Sequence, residues 1–183
     1  MPSRRVMRAL PLILLQVACS PQPAAPVAAP PPPNPEQQFA TLEHRYVMFL
    51  LRRFPVVSTY LGGSEFDAAL SDNDGRLRDA SPEALREEDT RLTEFREQFT
   101  ALQPNTLSSR HKIDRSVALA EIEFLLHQHQ VLRLQERALD SYVDEPFRGV
   151  DWQIQGMTAT GSATYGTEAE WQAVIARTRA IPV

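Results

Sequence analysis

The stretch from Ser109 to Asp140, SRHKIDRSVALAEIEFLLHQHQVLRLQERALD, decides the fold because it contains neither glycine nor proline. Its apolar residues recur at alternating steps of four and three, which is the spacing of one face of an α-helix. That face consists of Ile113, Val117, Ala120, Phe124, His127, Val131, Leu134 and Ala138. Leucines on either side widen the apolar surface. The pattern therefore predicts one long helix, buried among other helices.

Three further helices are predicted from their starting signals. Asn34-Pro35, Ser81-Pro82 and Thr167 each place a capping residue before a run of helical spacing. The first face includes Phe39, Leu42 and Tyr46, the second includes Leu85, Leu92, Phe95 and Phe99, and the third includes Trp171, Val174 and Ile175 and can extend to Arg177. The loop before the long helix is short, so its flanking helices should be antiparallel neighbours. We expect an all-α fold, an antiparallel helical bundle around one long central helix.

Two polar segments between these helices are predicted to be loops. Residues 64–80 are rich in Asp, and their Asp72–Gly75 stretch lacks the alternating ligands of an EF-hand, which indicates a solvated turn. Residues 141–166 contain four glycines and an alternation of apolar and polar residues. The alternating apolar residues are Val150, Trp152 and Ile154. We expect a partly ordered loop here, with one short extended piece before the last helix.

The N-terminal residues have the three-part layout of a secretory signal peptide, predicted at residues 1–18. Arg4, Arg5 and Arg8 precede an apolar run that is too short to span a bilayer as a permanent helix. Cys19 follows Ala18 and resembles the lipobox cysteine of bacterial lipoproteins, whose thiol is lipidated after cleavage just before it. Gln16 departs from the aliphatic residue usual there, so an ordinary cleaved signal peptide is the alternative interpretation.

A linker follows, predicted at residues 19–35 and rich in Pro and Ala. It holds eight of the 15 prolines of the chain, a composition that favours extended polyproline II. At roughly 3 Å per residue, its Pro- and Ala-rich residues 21–35 would separate the lipid from the domain by about 45 Å. We therefore expect an exported protein, anchored to the membrane through lipid in the bacterial cell envelope and facing the periplasm, with a helical domain at residues 36–183.

The charge of the domain argues against nucleic acid as a partner. The chain has 19 basic and 23 acidic side chains, and removal of the three signal-peptide arginines leaves 16 basic ones and a net charge of −7. Lys112 is the single lysine. Binding to phosphates requires clustered Lys or Arg, which an acidic domain with scattered arginines lacks.

The sequence contains no recognisable catalytic motif. There is no His-Glu-x-x-His zinc motif, Gly-rich phosphate loop or nucleophile elbow. His127 and His129 lie two residues apart on the predicted helix, about 200° around it, so they are poorly placed to share a metal. His127 falls on the apolar face and is interpreted as a hydrogen-bonded core histidine. We assign no residue a catalytic, cofactor-binding or metal-binding role. Cys19 is assigned as the lipidation site.

The order of several short motifs resembles a known bacterial family. The motifs are Phe54 to Gly62 (FPVVSTYLG), Phe66-Asp67, Ser81-Pro82-Glu83, Ile113-Asp114 and Arg177 to Pro182 (RTRAIP). The first is similar to the family's pattern of Pro, then Thr, then Leu-Gly. Together and in this order they resemble the bacterial domain-of-unknown-function family 885 over Phe39 to Pro182.

This resemblance implies a mostly helical protein, several times longer than this chain and related to zinc metallopeptidases. The family's zinc-binding motif lies in its C-terminal half, and no residue here matches it, so zinc is expected only in that missing part. We therefore expect the N-terminal portion of a lipid-anchored metallopeptidase-like hydrolase that acts on peptides and is inactive alone. The alternative is a stand-alone helical periplasmic lipoprotein that binds a protein partner.

The lipid anchor is tested by Cys19→Ser. Because the thiol is the acceptor of the lipid, this substitution should release the protein from membranes into the soluble periplasmic fraction. Fractionation of cells that produce wild type or variant, followed by immunoblotting, measures the change. Wild-type protein that is already soluble in the periplasm would contradict the anchor.

Overall fold

The computed structural model describes residues 34–159 and 165–181. The predicted signal peptide, Cys19 and nearly all of the linker lie outside these residues. Every regular element within them is a helix, which confirms the all-α class. Within the same ranges, none of the helices has the length and apolar character needed to cross a bilayer.

Eight α-helices follow one another in the described ranges, with three tighter or wider helical turns between them. The α-helices are α1 (Pro35–Arg53), α2 (Pro55–Tyr60), α3 (Gly63–Phe66), α4 (Pro82–Ala101), α5 (Ser109–Leu126), α6 (Leu134–Arg137), α7 (Asp140–Ala159) and α8 (Glu168–Arg179). The turns are a 3₁₀ segment at Ala68–Gly75, a short 3₁₀ turn at Pro104–Thr106 and a π-helical turn at His127–Leu132.

The three predicted helix starts are confirmed. Asn34 accepts a hydrogen bond from the Gln37 backbone, and the Gln37 side chain accepts one from Asn34, so α1 begins with a complete capping box. Thr167 forms the same reciprocal arrangement at α8. Ser81 accepts from the Ala84 amide at 3.3 Å at the start of α4. These local signals fix where the helices begin.

An aromatic core joins α1, α4 and α5. The Tyr46 ring lies 5.3 Å from that of Phe95 and 5.6 Å from that of Phe99, centroid to centroid, in edge-on arrangements that favour aromatic pairs. From α5 come Ala118, Ile122 and Leu126. The apolar faces predicted for α1 and α4 are therefore confirmed, whereas their arrangement as an antiparallel bundle stays a prediction.

The predicted single helix from Ser109 to Asp140 is wrong. The α-helix ends at Leu126, widens into the π-helical turn, and is stopped by Arg133, whose φ of 51° lies in the left-handed region. The His129 side chain pairs with Asp89 of α4 and holds this turn against α4. A contact to another helix therefore interrupts a run whose local spacing is helical throughout.

The predicted buried face is also wrong. Ile113, Val117 and Phe124 are 64%, 60% and 59% exposed, whereas the buried residues of α5, Ala118, Ile122 and Leu126, lie on the opposite side of the helix. His127 is exposed and is not a core histidine. Both faces of α5 are apolar, so periodicity alone could not decide which of them meets α1 and α4.

Both predicted loops are largely helical. Residues 64–75 lie in α3 and the 3₁₀ segment, apart from Asp67 between them, and residues 76–80 have no regular structure. Asn73 is buried and not solvated. Most of residues 141–159 form α7, with Pro146 inside it, and no extended piece is present in the described residues. Gly149, Gln153 and Met157 are buried at steps of four, so the face of α7 that packs has helical spacing despite its glycines.

Arg177 ties α8 to three other elements. Its side chain is 1% exposed, and burial lowers its pKa from the usual value. It donates to the carbonyls of Arg76 (3.0 Å), Gly149 (2.9 Å) and Asn73 (2.7 Å), to Gln153 Oε1 (2.9 Å) and to Thr59 Oγ1 (2.8 Å). The guanidinium thereby joins α2, the 3₁₀ segment, α7 and α8 through one fully hydrogen-bonded group.

Replacing Arg177 with Met should lower the free energy of unfolding by roughly 3–5 kcal/mol. The apolar chain keeps much of the volume but leaves buried acceptors without donors. Arg179→Met is the matched control, because Arg179 is exposed on the same helix and its loss should change stability by less than about 0.5 kcal/mol. Urea unfolding followed by circular dichroism measures both, and equal effects would contradict the role of Arg177.

Candidate functional site

A polar cavity of about 440 Å³ lies where the segment before α4 meets the π-helical turn, α6 and α7. Its polar lining residues are Arg78, Asp79, Gln128, His129, Gln135, Tyr142 and Glu145. Leucine, alanine and proline side chains form the remainder of the wall. A concave surface with a few polar groups in an apolar wall is typical of small-molecule sites.

Glu88 lies behind two lining residues of this cavity, Arg78 and His129. Its side chain is fully buried on α4, and the Arg78 Nη2 donates to both of its oxygens at 3.0 and 2.9 Å. Arg53 donates to it from α1. The Arg78 guanidinium also lies over the Phe54 ring, 4.2 Å from its centre. Two cations therefore compensate one carboxylate, which a buried charge requires.

His129 connects the same cluster to the π-helical turn. Its Nδ1 lies 2.7 Å from Asp89 Oδ1, and its Nε2 lies 4.0 Å from Glu88 Oε1. The Gln130 side chain donates to the other Asp89 oxygen at 3.2 Å. The sequence predicts a core position for His127 and misses His129, whose side chain is 9% exposed in the structure. No spacing signal could have shown this, because Asp89 is 40 residues away.

The other polar groups of the cavity are held by the protein itself. The Gln135 amide donates to the His129 carbonyl at 3.1 Å, and the Tyr142 hydroxyl donates to the Gln135 carbonyl at 2.7 Å. Glu145 accepts from the Arg78 backbone amide at 3.0 Å. The backbone amide of Ser81 donates to Asp79 and lowers the pKa of that carboxyl, with a smaller effect of the Arg53 charge. These polar groups are therefore held in place, whereas Arg78 Nε and Gln135 Oε1 are buried without a hydrogen-bond partner among the described residues.

The remaining histidines do not join this cavity. His111 lies against the Phe39 ring and hydrogen-bonds to Glu36, whose pKa is lowered first by the Ser108 amide and then by His111. His44 lies beside Phe66, ring centres 6.0 Å apart. In the part of the chain that the structure describes, no three His, Cys, Asp or Glu side chains are grouped to hold a metal ion.

A second candidate site is an apolar groove of about 370 Å³ between α1, α2 and α5. It is lined by Val47, Leu50, Leu51, Phe54, Val57, Leu61, Leu125 and one carboxylate, Glu121. The Tyr46 hydroxyl donates to Glu121 at 3.1 Å, and burial together with that negative charge raises the pKa of Tyr46. The groove is thus apolar, with one charge in a defined place.

The apolar groove continues onto the exposed side of α5. At about 100° per residue, Val117 and Phe124 lie within roughly 100° of Leu125 on the side away from the aromatic core. Ile113 extends the same stripe by one further turn. We call the groove together with Ile113, Val117 and Phe124 the apolar face.

Comparison with known proteins finds no relative from which a function could be transferred. No family model matches the sequence, and neither a curated protein nor a solved structure matches the chain. The function must therefore be inferred from these surfaces and from the sequence signals.

Replacing Glu88 with Gln should lower the free energy of unfolding by roughly 3–5 kcal/mol. The amide has nearly the same shape but leaves two partly buried guanidinium groups without their shared anion. Glu87→Gln is the matched control at the exposed neighbouring position, where the change should stay within about 0.5 kcal/mol. Chemical denaturation measures both variants. A stable Glu88→Gln protein would show that the cluster is not held by this charge.

Proposed function

We propose that this chain is the N-terminal helical portion of an exported, lipid-anchored metallopeptidase-like hydrolase. It lacks the zinc motif and is inactive alone, and its apolar face packs against the zinc-bearing part of the same enzyme. The family resemblance over Phe39 to Pro182 supports this proposal, as do the signal peptide and Cys19. The observation that carries it is the apolar face.

An apolar face of this kind indicates a protein interface. Contiguous exposed apolar surface on a folded domain commonly marks an interaction site, since each 100 Å² that is covered stabilises a complex by roughly 2.5 kcal/mol before other costs. Phe124, Val117 and Ile113 project beside a groove, a shape that suits an amphipathic helix laid along it. Glu121 within the groove would favour a partner with one donor or cation at that place.

The alternative function is that of a stand-alone helical periplasmic lipoprotein that binds a separate protein partner. The aromatic core favours this possibility, because Phe39, Leu92, Phe95, Phe99 and Ile122 are already at most 1% exposed without any further layer. The partner would then occupy the same apolar face. The two functions differ in whether the occupant is encoded by the same gene.

The DNA that follows codon 183 distinguishes them. It should encode a His-Glu-x-x-His segment, and the protein made from that segment should co-purify with this chain. Phe124→Glu should abolish the co-purification, because it places a charge on a surface that becomes buried. The free energy of unfolding of the variant should stay within about 0.5 kcal/mol of the wild-type value, since Phe124 is exposed.

Thr90→Glu is the matched control for this substitution. It adds the same charge at an exposed position of α4, outside the apolar face, and should leave co-purification unchanged. If no reading frame downstream encodes a His-Glu-x-x-His sequence, the hydrolase proposal is contradicted. Equal loss of binding in both variants would instead show that the apolar face is not the interface.

A further inference from the structure

A groove of about 660 Å³ lies between α2, α3, the 3₁₀ segment, α7 and α8, apart from the polar cavity and the apolar groove. Tyr60 and Trp152 form an aromatic pair on it, with ring centres 4.6 Å apart and planes inclined by 39°. Trp152 is half-buried, whereas Tyr60 is 62% exposed. We call this site the aromatic groove. It offers a ligand the open ring of Tyr60, backed by Trp152.

The polar lining of the aromatic groove consists of acceptors and neutral groups. Three carboxylates line it, Glu65, Asp74 and Glu170, together with Ser64, Ser71, Gln153 and Gln155. No Lys, Arg or His is among its lining residues in the described ranges. Asp74 accepts from the Thr59 hydroxyl at 2.9 Å, which fixes its position beside α2. The lining therefore favours a positively charged ligand.

With the charged groups just behind the lining included, the net charge around the aromatic groove remains negative. Arg177 donates to Gln153 and Thr59 from beneath the groove, and Arg148 lies over the Trp152 ring at 5.7 Å. Asp151 accepts from Gln155 at 2.9 Å. Four carboxylates thus face two guanidinium groups. The position of Arg148 shows that a guanidinium already meets this aromatic pair within cation–π distance.

We propose that the aromatic groove binds an organic cation, an alkylammonium or guanidinium group. The Tyr60 ring contacts the cation, and Glu65 and Asp74 supply the opposite charge. Such a cation is carried by a basic side chain of a peptide or by a free polyamine. The proposal is independent of the apolar face, since neither Tyr60 nor the three carboxylates belong to it.

Other ligand classes fit the aromatic groove less well. An anion would be repelled by the three lining carboxylates, and a fully apolar ligand would cover the hydroxyls of Ser64 and Ser71 without supplying hydrogen bonds to them. A neutral polar ligand could stack on Tyr60 equally well, but it would gain nothing from the charges. Charge dependence is therefore the property to measure.

The full chain should bind N-acetyl-arginine amide about fivefold or more tightly than N-acetyl-citrulline amide, which has nearly the same shape without the charge. Calorimetric titration measures both, and tryptophan fluorescence reports contact near Trp152. Because the attraction is electrostatic and the groove is exposed, added salt should lower the affinity for the arginine compound and leave the affinity for the citrulline compound unchanged. Equal affinity of the two compounds, or no binding of either, would overturn the proposal.

Two substitutions locate the binding, each with a matched control. Tyr60→Ala and Glu65→Gln should each lower the affinity for the arginine compound by about two- to fivefold. Phe66→Ala removes an exposed ring and Glu168→Gln an exposed carboxylate, both outside the lining, and each should leave affinity unchanged. All four side chains are exposed, so the variants should fold, which circular dichroism checks. Losses as large in the controls as in the test variants would place the binding elsewhere and overturn the proposal.

A third titration distinguishes the two sources of the cation. A peptide with one central arginine and capped ends is compared with spermidine. Tighter binding of the peptide supports a basic peptide as the ligand, and tighter binding of spermidine supports a free polyamine. If neither binds more tightly than the citrulline compound, the assignment of an organic cation is wrong.

Discussion

The arrangement of α2, α7 and α8 depends on one buried cation. Arg177 directs its guanidinium into a space where three backbone carbonyls, a side-chain amide and a hydroxyl converge, and each of them accepts a hydrogen bond from it. A buried charge is tolerated only when its hydrogen bonds are complete, so the positions of these acceptors are fixed together. The aromatic groove lies directly outside this network, since Thr59 and Gln153 belong to both. The groove should consequently be pre-formed.

Glu88 of α4 is a buried charge of the opposite sign. It is a buried anion held by Arg53 and Arg78, and His129 approaches it from the π-helical turn. In both places the local backbone departs from a regular α-helix, through the 3₁₀ segment in one case and the π-helical turn and Arg133 in the other. Polar side chains from distant helices stabilise these departures. The aromatic groove lies beside the 3₁₀ segment, and the polar cavity lies beside the π-helical turn. Irregular backbone and functional sites often coincide in this way.

The helix starts and the faces of α1 and α4 could be predicted because their causes are local. Asn34, Ser81 and Thr167 cap the amides of residues three positions on, and the aromatic residues follow helical spacing. The interruption of the helix after Leu126 could not be predicted, because it depends on a pair between His129 and Asp89. Neither buried charge was identifiable as such. For α8 the predicted face is only partly right, because Val174 and Arg177 are buried whereas Trp171 and Ile175 are each 37% exposed. The sequence does not show that acceptors from α2, the 3₁₀ segment and α7 would surround Arg177.

The wrong prediction for α5 is informative about function. Ile113, Val117 and Phe124 recur with the regularity of a core-facing stripe, and yet the core of α1 and α4 is closed by Ala118, Ile122 and Leu126 on the opposite side of the helix. A helix that needed only one buried face would gain nothing from a second regular one, because exposed apolar residues favour aggregation. The second face is continuous with the groove that contains Glu121, so its residues and the groove form one surface. The packing of α5 against α1 and α4 does not account for that surface.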